Sequence, residues 1–347
     1  MRRSTLVAAL LMMGFSALPT AAQEYAWSPN KPEHQWQADR PDSRAPAGVE
    51  LDKLYAAGDV SLAYRFNHLS EEDTHFGSTV VRVDELLREF PTAALTTNRW
   101  RHDLELSLGL SDNFTLAATV PFVFTRTDNL TDDLIFYQTE AEGLGDINAS
   151  ALLGVHNTGA VRFHLSGTVS FPTGSIEQTG TTPFSVPGEE QLPYTMQVGS
   201  GTLDVTPGAT VQAQNELGTV GFQGLATIRL GTNDRDYKLG NRFKGNIWGA
   251  IQVAESMSAS FRLQYVHDAD LKGQDTALDP FSEPAANPLF QRGTRVDLPL
   301  GMNVFFSEGA LAGHRLTGEF VIPLHHDVTG LQLGAKWGLQ FRWEAVF

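Results

Sequence analysis

The chain has 347 residues, of which 40 are acidic and 25 basic, so its formal net charge is −15, and it contains no cysteine. The acidic surplus argues against a nucleic-acid partner, because phosphate binding needs a basic surface. The lack of cysteine excludes a disulfide framework. After residue 22 no apolar stretch is long enough to cross a bilayer as a helix.

Residues 1–22 have the layout of a secretory signal peptide. Two arginines form a basic start, an apolar run extends from Leu6 to about Phe15, and small residues precede the expected cleavage site. Residues 23–57 are rich in proline, glutamine and charge. We expect them to form a pre-barrel periplasmic segment, either as a disordered lead or as a plug that folds into the barrel.

Residues 58–347 alternate between apolar and polar side chains, and helical periodicity is nearly absent. In the clearest segment Trp100, Leu104 and Leu108 share one face, while Asp103 and Glu105 lie on the other. A soluble β-sandwich has short strands and hides its apolar face against a second sheet, whereas these strands are long and carry full charges at mid-strand. The predicted strands cover residues 60–67, 100–110, 114–125, 147–155, 161–171, 203–214, 220–230, 243–253, 259–268, 296–305, 316–324 and 331–347.

The connections between these strands alternate in length. Long connections are predicted at residues 69–98, 128–142, 175–201 and 269–291, and tight turns at residues 111–113, 157–159 and 215–218. Long loops on one rim, short turns on the other and an even number of strands are typical of bacterial outer-membrane barrels. The sequence therefore predicts an all-β fold, an antiparallel up-and-down transmembrane β-barrel of about 12 strands in the outer membrane.

Two of the long connections are unusually apolar. One has helical spacing, with Val83, Leu86, Leu87 and Phe90 on a single face. The other, at residues 279–290, carries several apolar side chains for an exposed segment. These segments are expected either to pack on each other as a lid over the barrel mouth or to form a binding site for an apolar solute.

His164 and Ser166 raise the possibility of nucleophilic catalysis, because they lie two residues apart on one strand. Outer-membrane lipid hydrolases use a His and a Ser in that spacing. Here Phe163 and Leu165 are expected to face lipid, so His164 and Ser166 face inward, away from acyl chains. We therefore expect no catalytic residues, no enzyme activity, no cofactor and no metal site.

The inward side chains of the predicted barrel carry charges of both signs. One interpretation is a network of ion pairs that fills a narrow lumen, and the other is a basic stripe of Arg242, Lys244, Arg262 and Arg295 that attracts anionic solutes. The predicted pore-lining residues are Arg65, Arg101, Asp103, Glu105, Arg162, Arg229, Arg242, Lys244, Arg262, Arg295, Asp297, Glu319, Lys336 and Arg342.

The last strand alternates to the end of the chain. Residues 331, 333 and every second residue to Phe347 are expected to face lipid, while Lys336 and Arg342 face the lumen. Pairing of this strand with the first would close the sheet and remove its edges. A terminal aromatic residue is similar to the signal read by the barrel-insertion machinery. That machinery, outer-membrane lipid and lipopolysaccharide are therefore the expected partners.

Three short motifs resemble those of the outer-membrane transporter-like proteins of the phenol meta-cleavage degradation (MetA-pathway) family. They are Gly143-Leu144-Gly145-Asp146, residues 192–202 with Asp204, and residues 237–240. The resemblance implies a barrel for passive uptake of small compounds, often aromatic or hydrophobic. Compared with long-chain fatty acid channels, the chain is shorter, has about two strands fewer and has only a modest pre-barrel segment, which argues against a lateral gate.

The sequence therefore predicts an outer-membrane channel for small organic solutes, including aromatic or hydrophobic ones. Two alternatives remain open at this point: a non-conducting structural or adhesive barrel, and an outer-membrane lipid hydrolase.

Overall fold

The computed structural model describes residues 34–185 and 188–347, so the predicted signal peptide at residues 1–22 lies outside the described residues. Nearly all of the regular structure is β. The long strands are β1 (Val60–Gly77), β2 (Thr92–Ser111), β3 (Phe114–Thr131), β4 (Phe136–Leu144), β5 (Ile147–Thr158), β6 (Val161–Phe171), β7 (Leu203–Gln214), β8 (Gly218–Leu230), β9 (Arg242–Ala254), β10 (Met257–Asp268), β11 (Gly293–Phe305) and β12 (His314–Val346).

Shorter elements lie in the connections. The two-residue strands are Thr79–Val80, Thr179–Gly180, Glu190–Gln191, Tyr237–Lys238 and Lys272–Gly273. One turn of α-helix, α1, covers Val83–Leu86, and 3-10 turns cover Pro41–Ser43, Tyr194–Met196, Pro284–Ala286, Pro288–Phe290 and Gly309–Leu311. Within the described residues no helix is long and apolar enough to cross a membrane.

Eleven of the long strands form one closed antiparallel circuit. Their order is β12, β11, β10, β9, β8, β7, β6, β5, β3, β2 and β1, and β1 pairs with β12 to complete it. Strand β4 pairs with residues 122–130 of β3, and β5 pairs with residues 114–119 of the same strand. The circuit closes at the end of the chain, where the amide of Phe347 donates to the carbonyl of Val60 at 2.8 Å.

Strand β12 turns back on itself and so contributes twice to the wall. Gly330, with φ of 73°, lies at the reversal. The half before it pairs with β11, and the half after it pairs with β1. Across the two halves Phe320 stacks on Trp337. If the two halves of β12 are counted separately, the wall has twelve strands, an even number. The predicted antiparallel barrel is confirmed.

The outer surface of the wall is apolar and the inner surface is polar. On β2, Leu104 is 53% exposed, whereas the adjacent Asp103 and Glu105 are only 4% and 7% exposed. In a protein surrounded by water the exposure is reversed, with polar side chains exposed and apolar side chains buried. Lipid around the barrel explains it, because apolar side chains can then face outward at no cost.

We call the two ends of the barrel the loop side and the turn side. The connections at residues 78–91, 172–202, 231–241 and 269–292 lie on the loop side, and those at residues 112–113, 159–160, 215–217 and 255–256 on the turn side. The predicted long connection at residues 128–142 is wrong, because β3 and β4 continue as a hairpin and leave only residues 132–135 as a turn. Both faces of this hairpin carry polar residues, such as Arg126 bonded to Glu140, which hides the strand period in the sequence.

Residues 35–59, here called the plug, run inside the barrel. The plug enters at the turn side, where the amide of Trp36 donates to the carbonyl of Gly159 at 3.0 Å. It is buried over residues 40–49 and reverses at residues 48–52. It then returns to the turn side, where the amide of Gly58 donates to the carbonyl of Gly109 at 2.9 Å.

A β-bulge in β12 changes which side chains face inward. Strand β1 pairs successive residues with Trp337 and Ala335, so Lys336 is the extra residue. On the turn side of the bulge the alternation is as predicted. Beyond it Leu331 and Leu333 line the interior cavity, so the prediction that they face lipid is wrong.

Candidate functional site: a vestibule inside the barrel

The loop-side half of the barrel encloses a cavity of about 1180 Å³, here called the vestibule. Its floor is formed by Gly48, Glu50 and Leu51 at the apex of the plug. Its walls are the inner faces of the strands, and residues 190–200 and 277–291 of two long connections cover it. This volume is somewhat larger than the roughly 300–1,000 Å³ of ordinary ligand pockets, so the vestibule has room for a small organic ligand.

Three side chains of adjacent strands hold three successive carbonyl groups of the plug apex. Gln223 donates to the carbonyl of Glu50 at 2.6 Å, and Gln212 donates to that of Asp52 at 2.5 Å. Between them His164 Nε2 lies 2.9 Å from the carbonyl of Leu51. Leu51 has φ of 49°, which is unfavourable for a leucine. Neutral hydrogen bonds from the wall therefore stabilise a strained apex.

Beneath the floor the plug is anchored by buried charges. Asp52 of the plug lies between Arg44, at 2.7 Å, and Arg342 of β12, at 3.0 Å. Arg44 also reaches Glu344 at 2.7 Å, and Arg342 reaches Glu105 at 3.4 Å. These ion pairs join the plug to β2 and β12. Charges that are buried this deeply are tolerated because each has a partner.

Arg262 and Glu319 form a second anchor, and neither side chain is exposed. Glu319 also accepts the amide of Gly48 at 2.7 Å. A Cβ atom at position 48 would collide with the guanidinium of Arg262 and the amide oxygen of Gln340, so a larger residue would force both side chains to move. The plug apex is therefore fitted closely to the wall.

Glu50 projects from the floor toward the cations of the wall. Its Oε1 is 3.1 Å from Nζ of Lys244 and 3.9 Å from Nη1 of Arg65. The charge of Lys244 is the main reason that the pKa of the Glu50 carboxyl lies below its ordinary value, against the effect of burial, and Arg65 and Arg101 add to it. The carboxylate is therefore ionised.

Four other cations of the vestibule wall already have carboxylate partners. Arg242 contacts Asp268 at 2.6 Å, Arg295 contacts Asp297 at 2.9 Å, Arg101 contacts Asp103 at 2.7 Å, and Arg229 contacts Asp204. All four members of the predicted basic stripe are paired, since Lys244 meets Glu50 and Arg262 meets Glu319. The structure thus has an ion-pair network at these positions and no stripe of unpaired cations.

The predicted pore-lining residues fall into groups. Those that line the vestibule are Arg65, Arg101, Asp103, Glu105, Arg229, Arg242, Lys244 and Arg295. Arg262, Glu319, Arg342 and Asp297 are buried in the ion pairs described above. Arg162 lies at the turn side, bonded to the carbonyl of Gly159, and Lys336 at the bulge is half exposed and contacts Asp73 at 2.9 Å. The last two therefore do not line the vestibule.

His164 and Ser166 are not hydrogen-bonded to each other in the described part of the chain. Both are buried on the lumen side of β6, and His164 is bonded to Leu51 of the plug. The hydroxyl of Ser166 has no hydrogen-bond partner among the described residues. Asn148, which could have oriented a catalytic histidine, donates to the carbonyl of Asp146. His164 thus serves to position the plug.

The covering loops have an apolar core of their own. Tyr194, Tyr237, Leu271, Leu278 and Ala286 pack together, and the hydroxyl of Tyr194 accepts the amide of Asp275 at 2.9 Å. Burial raises the pKa of Tyr237 to about 12, so its hydroxyl stays neutral. We call residues 190–200 and 277–291 the lid. Of the predicted helical segment, Leu86 is buried at the edge of the vestibule.

The glycine-rich motifs hold this loop layer in place. The carboxylate of Asp146 accepts the amides of Gly174 and Ser200 at 3.0 and 2.8 Å. A side chain on Gly199 would collide with Gly174. Sequence reasoning missed the floor residues Glu50 and Leu51, because the plug has no periodicity. The one signal for them in the sequence is the pair of carboxylates, Glu50 and Asp52, that follows Gly48.

Comparison with protein-family models gives no match, and comparison with curated proteins gives none. An outer membrane channel from Pseudomonas putida F1 is similar over 86% of this chain and 99% of its own, with 15% identity and a TM-score of 0.57. The Ralstonia pickettii toluene transporter TbuX has 10% identity over 89% and 98% of the two chains, with a TM-score of 0.44. The transport unit of the Escherichia coli autotransporter AIDA-I has 9% identity over 86% and 92%, with a TM-score of 0.45.

At such low identity the first of these similarities shows a shared fold, and the other two are too weak to carry an argument. The closed circuit, the apolar exterior and this fold agree with one another. The chain is a bacterial outer-membrane β-barrel, as the sequence predicts.

Proposed function

We propose that the protein is a passive channel that admits small organic solutes through the vestibule. The observation that carries this proposal is a cavity of about 1180 Å³ directly above a floor made by the plug. Its lining combines apolar side chains such as Leu225 and Val266 with the polar groups that fix a ligand's orientation. A barrel with a purely structural role has no need of such a cavity.

Passage through the lumen requires the plug apex to move. The contacts that hold it are mainly hydrogen bonds and ion pairs, whereas its apolar contacts are few, chiefly Ala45 and Val49 against Trp248. Polar contacts can be exchanged for contacts with water or with a solute, so the apex can shift without opening a large apolar surface. We therefore assign residues 48–52 as the gate of the channel.

The solute class follows from two sources of support. The motifs around Asp146, Asp204 and Tyr237 resemble the MetA-pathway family, and this resemblance favours small aromatic or hydrophobic compounds. The similar barrel of Pseudomonas putida F1 is itself described as a channel. Lipid and lipopolysaccharide would surround the apolar exterior, and the insertion machinery would read the strand that ends at Phe347.

A second candidate is a non-conducting structural or adhesive barrel. One observation favours it: the plug fills the turn-side half of the lumen and is anchored by buried ion pairs such as Arg44 with Glu344. The two candidates differ in whether solute crosses the lumen, so an electrical measurement separates them.

Cysteine labelling can test the channel directly, because the natural chain contains no cysteine. Asn67 lines the vestibule, and the preceding Phe66 packs against His102 on the outer face. We expect Asn67→Cys and Phe66→Cys to give conductance steps in planar bilayers. A charged methanethiosulfonate reagent added from the loop side should lower the current of Asn67→Cys by at least about half.

Phe66→Cys is the matched control, since it places a thiol at the same depth on the opposite face of β1. Its current should not respond to the reagent. Absence of current from the wild-type protein, or an equal response of the two variants, would reject passage through the vestibule and favour the structural barrel.

A further inference from the structure

The floor of the vestibule presents a carboxylate to a solute that enters from the loop side. Glu50 lies 3.1 Å from Lys244 and 3.9 Å from Arg65, and Arg101 is the third cation whose charge acts on it. Its side chain is 47% exposed and lines the cavity. The carboxylate is thus both bound to cations and accessible to a competitor.

Arg65 has hydrogen-bonding capacity that the protein does not use. It is only 6% exposed, and its Nε and Nη2 have no hydrogen-bond partner in the described part of the chain. The carboxylates nearest to it, Glu105 and Glu50, approach to 3.7 and 3.9 Å. A buried guanidinium left without hydrogen bonds is costly, and a carboxylate is the group that matches its donors best.

Apolar side chains flank these cations. Leu225 of β8 and Val266 of β10 are the register partners of Lys244 on its two neighbouring strands, and both line the vestibule. Higher up, Leu278 of the lid also lines it. A solute bound here would therefore have its anionic group at the floor and its apolar part between the wall and the lid.

We propose that Glu50 is an internal stand-in for the carboxylate of an organic-acid solute. The solute's carboxylate binds Lys244 and Arg65 in exchange for Glu50, and its apolar body contacts Leu225 and Val266. The exchange frees the plug apex. This inference rests on the proposed function, because it names the solute class of the same vestibule.

Exchange is favoured over simultaneous binding for an electrostatic reason. Two carboxylates that share one group of cations repel each other, and inside a protein this repulsion is weakly screened. Release of Glu50 also allows the unfavourable backbone of Leu51, at φ of 49°, to relax. Binding of the solute and movement of the floor are thus coupled.

Binding of benzoate to the purified full-length barrel in detergent tests the site, with the neutral benzamide as the matched ligand. Glu50→Gln removes the competing charge and keeps the side-chain shape. We expect it to bind benzoate at least about tenfold more tightly than the wild type, and to leave benzamide binding unchanged. The double variant Glu50→Gln with Lys244→Gln should lose this gain.

Glu71→Gln is the control variant, because Glu71 also lines the vestibule but is not in contact with Lys244 or Arg65. It should leave benzoate affinity within about twofold of the wild type. An equal gain for Glu50→Gln and Glu71→Gln, or an equal gain for benzoate and benzamide, would overturn the assignment.

Hydrogen exchange tests the displacement step separately. Benzoate should raise the exchange rate of residues 48–52 in the wild type, and benzamide should not. Unchanged or slower exchange with bound benzoate would show that Glu50 stays in place. Neither measurement involves flux. A barrel that does not conduct can therefore bind benzoate in this way, and a barrel that conducts can fail to bind it, so the two proposals are tested separately.

Discussion

Arg262 and Glu319 form the most deeply buried ion pair of the barrel, with neither side chain exposed. Arg262 donates to both carboxylate oxygens of Glu319 at 3.0 Å, and also to Asn246 and Gln340 at 2.8 and 2.7 Å. The guanidinium therefore has most of its donors satisfied. Such pairs contribute little net stability, but loss of one partner leaves a buried charge without compensation.

Glu319→Gln should therefore destabilise the barrel strongly. We expect the free energy of unfolding to fall by about 3 kcal/mol or more, measured by urea unfolding in lipid vesicles with tryptophan fluorescence. Glu140→Gln is the control, since Glu140 pairs with Arg126 in the exposed hairpin; its loss should be below about 1 kcal/mol. Similar losses for the two variants would contradict this prediction.

Sequence alternation predicts that Arg262 and Glu319 face inward, but it does not reveal their partners. The partners depend on strand register and on the plug, and both bring together residues that are far apart in the chain. Arg44 meets Glu344, and Glu50 meets Lys244. The plug has no repeating pattern, so the cations of the predicted basic stripe could not be recognised as paired from the sequence. Local period-2 patterning thus indicates the face of a residue and not its neighbour.

The strands could be predicted because apolar and polar side chains alternate along them. Their irregularities could not be predicted, because the alternation continues through them. The last strand alternates without a break in the sequence, yet Lys336 forms a bulge that turns Leu331 and Leu333 toward the vestibule. Opposite it on β1, Asp73 has φ of 53° and lies at another register shift. A bulge inserts one residue without changing the composition of the strand, so only the pairing with β1 reveals it.

The end of β12 combines a structural contact with an exposed side chain. The backbone of Phe347 bonds to Val60 in both directions, at 2.8 and 3.0 Å, whereas its side chain is 74% exposed. Removal of the ring therefore leaves the closure of the barrel intact. If the insertion machinery reads the ring, its loss should affect assembly in the cell and not the stability of the folded barrel.

We expect Phe347→Ala to lower the amount of heat-modifiable barrel in cell envelopes severalfold. Its unfolding free energy in lipid vesicles should stay within about 0.5 kcal/mol of that of Phe341→Ala, because both variants remove one ring from the outward face. Phe341→Ala, which removes a ring from the same outward face, should leave the yield unchanged. An equal fall in yield for both variants would mean that lipid contact, and not the terminal position, matters.

The vestibule as a whole lies between two different closures. Below it the plug is held by hydrogen bonds and ion pairs, whereas above it the lid is held by the apolar cluster around Tyr194 and Leu278. Polar contacts at the floor can be exchanged for contacts with an ionic solute, whereas the apolar packing of the lid is weakened when a charge must be buried in it. The two closures therefore respond to different variables. A solute can therefore act on the floor, and pH can act on the lid.

Glu283 is the lid residue through which pH should act. Burial raises the pKa of its carboxyl from 4.5 to about 7, and the negative charge of Glu190 adds to the effect. Because this pKa is raised in the folded lid, the closed lid binds a proton that the open lid releases. Stability from this source is complete below about pH 4.5, is lost as pH rises toward 7, and does not change further above that value.

Hydrogen exchange of residues 277–291, corrected for the intrinsic effect of pH, should therefore be faster at pH 8 than at pH 5. Glu283→Gln should remove this difference, because the neutral amide has no charge to bury. Asp279→Asn is the control: Asp279 lines the same cavity, yet it is not among the causes of the raised pKa of Glu283. It should retain the pH dependence. A response in Glu283→Gln equal to that of the wild type would show that another group opens the lid.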